Sequence, residues 1–377
     1  MRRGYWFIMN KWFIVAISSA SFFLSYFSRL TWSVVSTFSP FHPTVQEDGT
    51  VFSLFFVGYI IVQLPAGILA DKIGTRTLLF FSLTGIGLSS LATGLAPNIE
   101  YEYLFSFLMG LSAGWVYPIT VKMISSSFSG NNLGWAMGIY SIAWPLSIVL
   151  VGAILPVISI IIGWYSGYFL IFIISIILAF LSLKINMNSI SKSNSFSIII
   201  SKNVLLVSLA GFLFFTSYWS IALYIYKYFV LITANPYISG VLYSLTALVG
   251  IFSTIIAGWF ISKLGVRNTL SSFVAIYGFL ILLLPLSYNP ALLGVLSSLM
   301  GFVRFIITPA NSAILATIGK ENTGSVSGTA NLIWQSSGIF ASYFTAIVIT
   351  NLGYSDLWII MGIFTLLASI IYLGIKV

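Results

Sequence analysis

Two arginines, Arg29 and Arg304, lie deep inside long apolar stretches of this chain. At the centre of a membrane-crossing helix a basic residue costs about 2.5–3.5 kcal/mol on insertion scales, so one kept there has a task. A guanidinium is suited to gripping a carboxylate or phosphate through paired N–H donors. The other task open to either arginine is to brace a helix interface through backbone carbonyls. Tyr26 precedes Arg29 by one helical turn and shares its face. Other polar and aromatic side chains recur at helical spacing: Tyr59 with Gln63, Tyr140 with Trp144, Asn331 with Gln335, and the neighbours Tyr218 and Trp219. Amides and rings of this kind either orient a small ligand or join helices at well under ~2 kcal/mol each. The candidate ligand-binding set is therefore Arg29, Tyr26, Arg304, Gln63, Trp144, Trp219, Asn331 and Gln335.

Other chemistry is excluded by what is missing. The chain has no cysteine and a single histidine, His42, which falls in a connecting segment. No Gly-rich phosphate loop and no nucleophile–base constellation is present, so neither hydrolysis nor ATP use is expected, nor any metal or cofactor. All seven Asp and Glu residues fall in connections or at segment ends.

The elements that must position the arginines follow from composition. Of 377 residues, 59% are apolar and only 6% charged, with mean hydropathy +1.06. A soluble domain carries about 25% charged residues. The bilayer must therefore be the solvent for most of this chain, which excludes a soluble enzyme, a nucleic-acid binder and a disordered protein. Breaks at Gly, Pro, Asn and charge clusters delimit twelve apolar segments, roughly 12–37, 51–70, 77–95, 102–125, 133–156, 165–185, 203–232, 237–261, 269–287, 290–316, 324–350 and 355–375. Met1-Arg2-Arg3 ahead of an apolar run imitates a secretory leader. The run to Phe38 is too long for one and no small-x-small site follows it, so it is expected to be a retained first span.

Charge placement tests the count. With the N-terminus inside, Arg2, Arg3, Lys11, Lys72, Arg76, Lys122, Lys184, Lys192, Lys202, Lys263, Arg267, Lys320 and Lys376 fall on the inner side, thirteen of the 16 basic residues. The opposite connections hold Glu47, Asp48, Glu100, Glu102 and Asp356. This segregation follows the positive-inside rule and accounts for the net charge of +9 without nucleic acid. Lys122 and Lys227 lie near segment ends and are expected to snorkel.

The polar interval 186–202, with Lys192 and Lys202, divides the chain into 1–185 and 203–377. The two parts are copies. Gly67-Ile-Leu-Ala-Asp71-Lys72-Ile-Gly74-Thr-Arg76 recurs 191 positions later as Gly258-Trp-Phe-Ile-Ser262-Lys263-Leu-Gly265-Val-Arg267. Gly110 and Pro118 recur at the same offset as Gly301 and Pro309.

Gly67–Leu79, GILADKIGTRTLL, resembles the signature of the major facilitator superfamily, Gly-x-Leu-Ala-Asp-Arg-x-Gly-Arg-Arg, with Lys72 and Thr75 replacing two of its arginines. Gly110 to Pro118, Pro145 with Gly152, and Gly163-Trp164 match further landmarks. The resemblance covers the whole chain. It implies an all-α membrane protein of twelve transmembrane helices in two pseudo-symmetric six-helix bundles, rocking about a midplane site. It also implies a conformational latch at the inner face, formed by Gly67, Asp71, Lys72, Gly74 and Arg76 with Gly258, Lys263, Gly265 and Arg267. Ser262 replaces the second carboxylate, so this latch is expected to be asymmetric. Tyr26-x-x-Arg29 and the stretch Phe56 to Pro65 are similar to the anion:cation symporter branch, which implies a small organic anion as substrate.

Proton coupling through a buried carboxylate, common in that branch, has no clear counterpart. Facilitated diffusion, exchange, or coupling through Glu47, Asp48, Glu100 or Glu102 stay open. A multidrug or amphipath exporter, an inorganic-anion carrier for nitrate or phosphate, and a channel or membrane enzyme are the alternatives. The expected setting is the plasma membrane, with both termini cytoplasmic and the chain a monomer.

Overall fold

The computed structural model describes residues 2–185, 201–320 and 323–376; residues 186–200 of the interval between the repeats lie outside it. Fourteen α-helices and their connections make up the described residues, with no strand among them: α1 (Arg2–Val35), α2 (Val45–Ile73), α3 (Thr75–Gly94), α4 (Ile99–Ala113), α5 (Val116–Ser127), α6 (Gly130–Ser141), α7 (Ala143–Ile161), α8 (Ser166–Ser182), α9 (Lys202–Thr233), α10 (Pro236–Leu264), α11 (Val266–Leu283), α12 (Pro290–Gly319), α13 (Thr323–Leu352) and α14 (Tyr354–Leu373). Eleven stretches are long and apolar enough to cross a membrane, and the shorter apolar α8 makes the twelfth. Helices are what an apolar solvent demands, because every backbone N–H and C=O must be satisfied within the chain.

Local chemistry sets the helix ends. Asn235 and Asn289 each precede a proline at the first helical position and cap the helix, Asn235 Oδ1 accepting from Tyr237 N at 2.9 Å and Asn289 Oδ1 from Ala291 N at 2.8 Å. Asn98 caps α4 in the same way, accepting from Glu100 N at 3.1 Å. Two of the twelve spans are each built from two helices, α4 with α5 and α6 with α7. Prolines explain both interruptions. Pro118 and Pro145 cannot donate to the carbonyls of Gly114 and Ser141 four residues earlier, and their rings crowd those carbonyls. The freed Gly114 oxygen accepts from Gln63 Nε2 at 3.4 Å, so an amide on α2 repairs what the proline removed.

The repeat is visible in backbone geometry. Gly74 and Gly265, 191 positions apart, have φ of +91° and +78°, a region open to glycine, and each joins two antiparallel helices without a loop. A Cβ added to Gly110 would collide with the Phe55 carbonyl of α2. One added to Gly301 would lie 2.8 Å from the carbonyls of Leu245 and Thr246 of α10. Phe55 and Thr246 are themselves separated by 191, so the same pair of spans touches at the same register in each copy.

The chain divides into two compact units, Met1–His42, Leu54–Ser147 and Ile158–Asn194 forming one, and Pro43–Ser53, Ile148–Val157 and Ser195–Val377 the other. In the first, α3 packs along α8, Ser90 Oγ donating to Tyr168 O at 3.0 Å, and Ser25 Oγ of α1 donates to Ala113 O at 3.2 Å. In the second, α11 and α14 are joined by reciprocal bonds, Ser271 Oγ to Ser369 O at 3.0 Å and Ser369 Oγ to Ser271 O at 2.8 Å. Buried α9 joins α14 through Ser217 Oγ to Met361 O at 2.8 Å and meets α13 where Ser220 Oγ and Thr345 Oγ1 lie 2.7 Å apart.

Candidate functional site

Each unit holds one caged arginine. In the first unit Arg29 is 2% exposed. Its guanidinium carbon lies 4.1 Å from the Tyr59 ring centroid, 4.7 Å from Tyr26, 5.1 Å from Phe56 and 5.5 Å from Phe55. Tyr26 comes from its own helix and the other three rings from α2. Those rings are placed by the close approach of Gly58 and Gly110, which brings α2 against α4. Ring faces attract a cation through their quadrupole, at about 0.5–2 kcal/mol per good contact when desolvated. They cannot offer the two coplanar oxygens that match a guanidinium's fork.

An aromatic wall continues from this cage. Tyr26 stacks on Trp144 at 4.8 Å, Phe22 stacks on Tyr140 at 4.6 Å, and Phe22 meets Tyr26 edge-on at 5.0 Å. The Tyr140 hydroxyl shares a 2.8 Å hydrogen bond with Thr120 Oγ1. Both helical pairs noted in the first half of the sequence, Tyr59 with Gln63 and Tyr140 with Trp144, thus border the Arg29 region. Gln63 is half-buried and already engaged with the Gly114 carbonyl.

In the second unit Arg304 is 1% exposed and lies 4.1 Å from the Tyr218 centroid, 5.2 Å from Phe214, 5.4 Å from Phe215 and 5.5 Å from Phe305. Its Nη1 donates to Thr308 Oγ1, one turn on, at 2.7 Å. Asn311 continues the same face of α12, 3% exposed, and its Oδ1 accepts from Tyr372 Oη of α14 at 2.8 Å. Thr308 and Asn311 were not among the sequence candidates. The spacing 304, 308, 311 is the signal that could have found them. Trp219 is fully buried and meets Tyr218 edge-on at 4.9 Å. Asn331 and Gln335 are half-buried on α13, and Gln335 Oε1 has no hydrogen-bond partner among the described residues.

Of the charged motif, Arg76, Lys263 and Arg267 are exposed at the α2–α3 and α10–α11 turns. Ser262 Oγ returns to its own helix, donating to Trp259 O at 2.8 Å, and Gly258 has open space beside it. The side chains of Asp71 and Lys72, and what surrounds Gly67, lie outside the described residues.

Lys227 has a partner that its place near a segment end did not indicate. Its Nζ is paired with Asp48 Oδ2, and the Asp48 side chain is 1% exposed. Asp48 and Glu102 lie at segment ends, in the first turns of α2 and α4, and both are buried. Glu102 Oε1 accepts from Tyr168 Oη at 3.5 Å. Among the described residues no cluster of three metal-ligating side chains occurs.

The sequence profile of the Major Facilitator Superfamily matches residues 17–342. An uncharacterized transporter, YybO of Bacillus subtilis, is 30% identical over 146 residues, 37% of this chain and 33% of that protein. The probable galactarate/D-glucarate transporter of the same organism is 28% identical over 190 residues, 46% of this chain and 40% of that protein. The hexuronate transporter of B. subtilis is 27% identical over 150 residues, 38% and 36% of the two chains. The matched part is thus less than half the length of these relatives. Among solved structures, the nucleoside transporter NupG superposes with a TM-score of 0.80 at 11% identity, covering 97% of this chain and all of that one. A bacterial homolog of the human lysosomal transporter Spinster gives 0.78 at 12% identity, covering 96% of each chain. With the profile spanning most of the sequence and the twelve-span repeat in place, this multi-pass membrane protein belongs to the Major Facilitator Superfamily of transporters.

Proposed function

We propose that this protein carries a small organic anion, a carboxylate or sugar acid, across the plasma membrane by alternating access. The observation that carries this reading is Arg29: a permanent cation within a span, 2% exposed, held by ring faces and bordered by a wall of Tyr26, Trp144, Phe22 and Tyr140. Such a guanidinium is positioned to grip a carboxylate bidentately, while phenols and stacked rings take hydroxyls and the apolar face of the substrate. In the first unit Arg29 is the main anion contact, with Tyr26, Gln63 and Trp144 as lining; in the second unit Arg304 is the second contact, with Trp219, Asn331 and Gln335. The relatives named for galactarate/D-glucarate and hexuronate support this substrate class. Segregation of basic residues supports cytoplasmic termini. The glycine-hinged turns at Gly74 and Gly265, with their charged neighbours, serve as the inner latch, and the working unit is a monomer.

The test is uptake into proteoliposomes from a panel of radiolabelled sugar acids, with and without a pH gradient. Arg29→Gln should abolish uptake. Movement of neutral or cationic compounds with no anion carried would instead favour an exporter of the kind the 28%-identical quinolone resistance transporter of Acinetobacter baumannii is named for.

A further inference from the structure

We infer that Asp48 and Lys227 form an outer latch, an ion pair that holds the Val45 end of α2 to α9 and parts whenever the carrier opens outward. This rests on the alternating-access reading above. The pair joins residues 179 apart in sequence, and the carboxylate is 1% exposed against 19% for the lysine side chain. Tyr224 of α9 and Tyr354 of α14 also face Asp48.

The surroundings of the pair are built for close but separable contact. A Cβ on Gly49 would sit 2.8 Å from Ala346 Cβ and 2.9 Å from Ser342 O, so glycine is what lets α2 lie directly on α13. Gln46 Nε2 donates to Thr350 Oγ1 at 2.7 Å, and Ser53 Oγ to Ile339 O at 3.3 Å. The other first-half segment in the second unit, Ile148–Val157, is held in the same manner. Ser244 Oγ donates to Val149 O at 2.8 Å, and Gly152 faces Gly240 backbone to backbone. Single hydrogen bonds and glycine contacts can open and re-form without repacking a core.

Helix α2 gives the latch its consequence. It is continuous, yet Val45–Ser53 belongs to the second unit and the remainder to the first. A change in its tilt therefore breaks the Val45–Ser53 contacts first. Losing Lys227 leaves the buried Asp48 carboxylate without its counter-charge, losing Asp48 leaves the half-buried ammonium without its own, and opening relieves either by hydration. Both single substitutions should consequently bias the protein toward the open state, and exchanging the two charges should restore the balance.

The chain contains no cysteine, so an introduced pair reports without background. Gln46→Cys with Thr350→Cys places two thiols where the native side chains already touch. In the otherwise native protein, oxidation should cross-link them rapidly and stop D-glucarate exchange in proteoliposomes, with recovery on reduction. Adding Asp48→Asn or Lys227→Met should slow cross-linking by at least about tenfold, and Asp48→Lys with Lys227→Asp should recover most of the rate. Cross-linking that proceeds equally fast in both single variants overturns the latch, and it is read on a gel without any substrate. Exchange that continues in fully cross-linked protein overturns the alternating-access reading beneath it.

Discussion

Replacing Arg29 with glutamine should cut transport far more than it changes stability, and that difference separates a ligand from a brace. A guanidinium within a span costs about 2.5–3.5 kcal/mol. Four ring contacts at 4.1–5.5 Å return part of this, about 0.5–2 kcal/mol for the dominant face. Glutamine removes the charge together with these contacts but leaves an amide that must still be satisfied inside the span, so folded Arg29→Gln should keep a Tm in detergent close to the native one. The substrate's carboxylate, in contrast, would enter a desolvated site without its counter-charge. Leaving one partner of a buried pair uncompensated costs about 3–5 kcal/mol, which is roughly 100- to 4000-fold in kcat/KM for uptake of an organic anion. Arg29→Lys should recover little of that loss, because an ammonium keeps the charge but has neither the planar fork nor the ability to stack on Tyr59. Two results would refute the reasoning: uptake within a few-fold of the native protein, or a Tm that falls together with uptake.

The remaining predictions concern the scaffold. Thr308→Val removes the acceptor of the 2.7 Å bond from Arg304 Nη1 and should cost about 1.5–3 kcal/mol, since a bond to a charged group is lost inside the protein; thermal unfolding measures it. Gly110→Ala forces a methyl group into the Phe55 carbonyl and should cost about 1–3 kcal/mol with poor yield of monodisperse protein, whereas Gly258→Ala, with nothing within 4 Å, should purify like the native protein. Gln63→Leu leaves the proline-freed Gly114 carbonyl without its amide partner and should lower Tm by the equivalent of about 1 kcal/mol.

Most of the scaffold is legible in the sequence because the bilayer imposes a single solution on any long apolar segment. The twelve segments, the offset of 191 and the importance of Gly74, Gly110, Gly265 and Gly301 all reappear as geometry. Hydropathy does not report that two spans are each made of two helices. Pro118 and Pro145 were visible, but an α-helix in a membrane can carry a proline as a kink or as a break. Pro65, Pro156 and Pro309 lie inside continuous helices, and the partner that the freed Gly114 carbonyl finds is a side chain 51 positions away.

The surroundings of the two arginines were legible only where their parts share a helix. Tyr26 with Arg29 and Tyr140 with Trp144 follow from spacing along one element. The rings of Phe55, Phe56 and Tyr59 reach Arg29 from α2, and Phe214, Phe215 and Tyr218 reach Arg304 from α9, by packing that no period along the chain encodes. Lys227 shows the same limit from the other side. Six residues from the end of α9, it satisfies a local rule by which a lysine reaches the headgroups without any partner. The partner is 179 residues upstream, in a helix turn that reads as a polar connection. Sparse charge in such a chain therefore has to be explained one residue at a time. A buried carboxylate can meet its need through hydroxyl donors, as Glu102 does with Tyr168, or through a cation drawn from a distant helix end, and Asp48 is the carboxylate that claims Lys227.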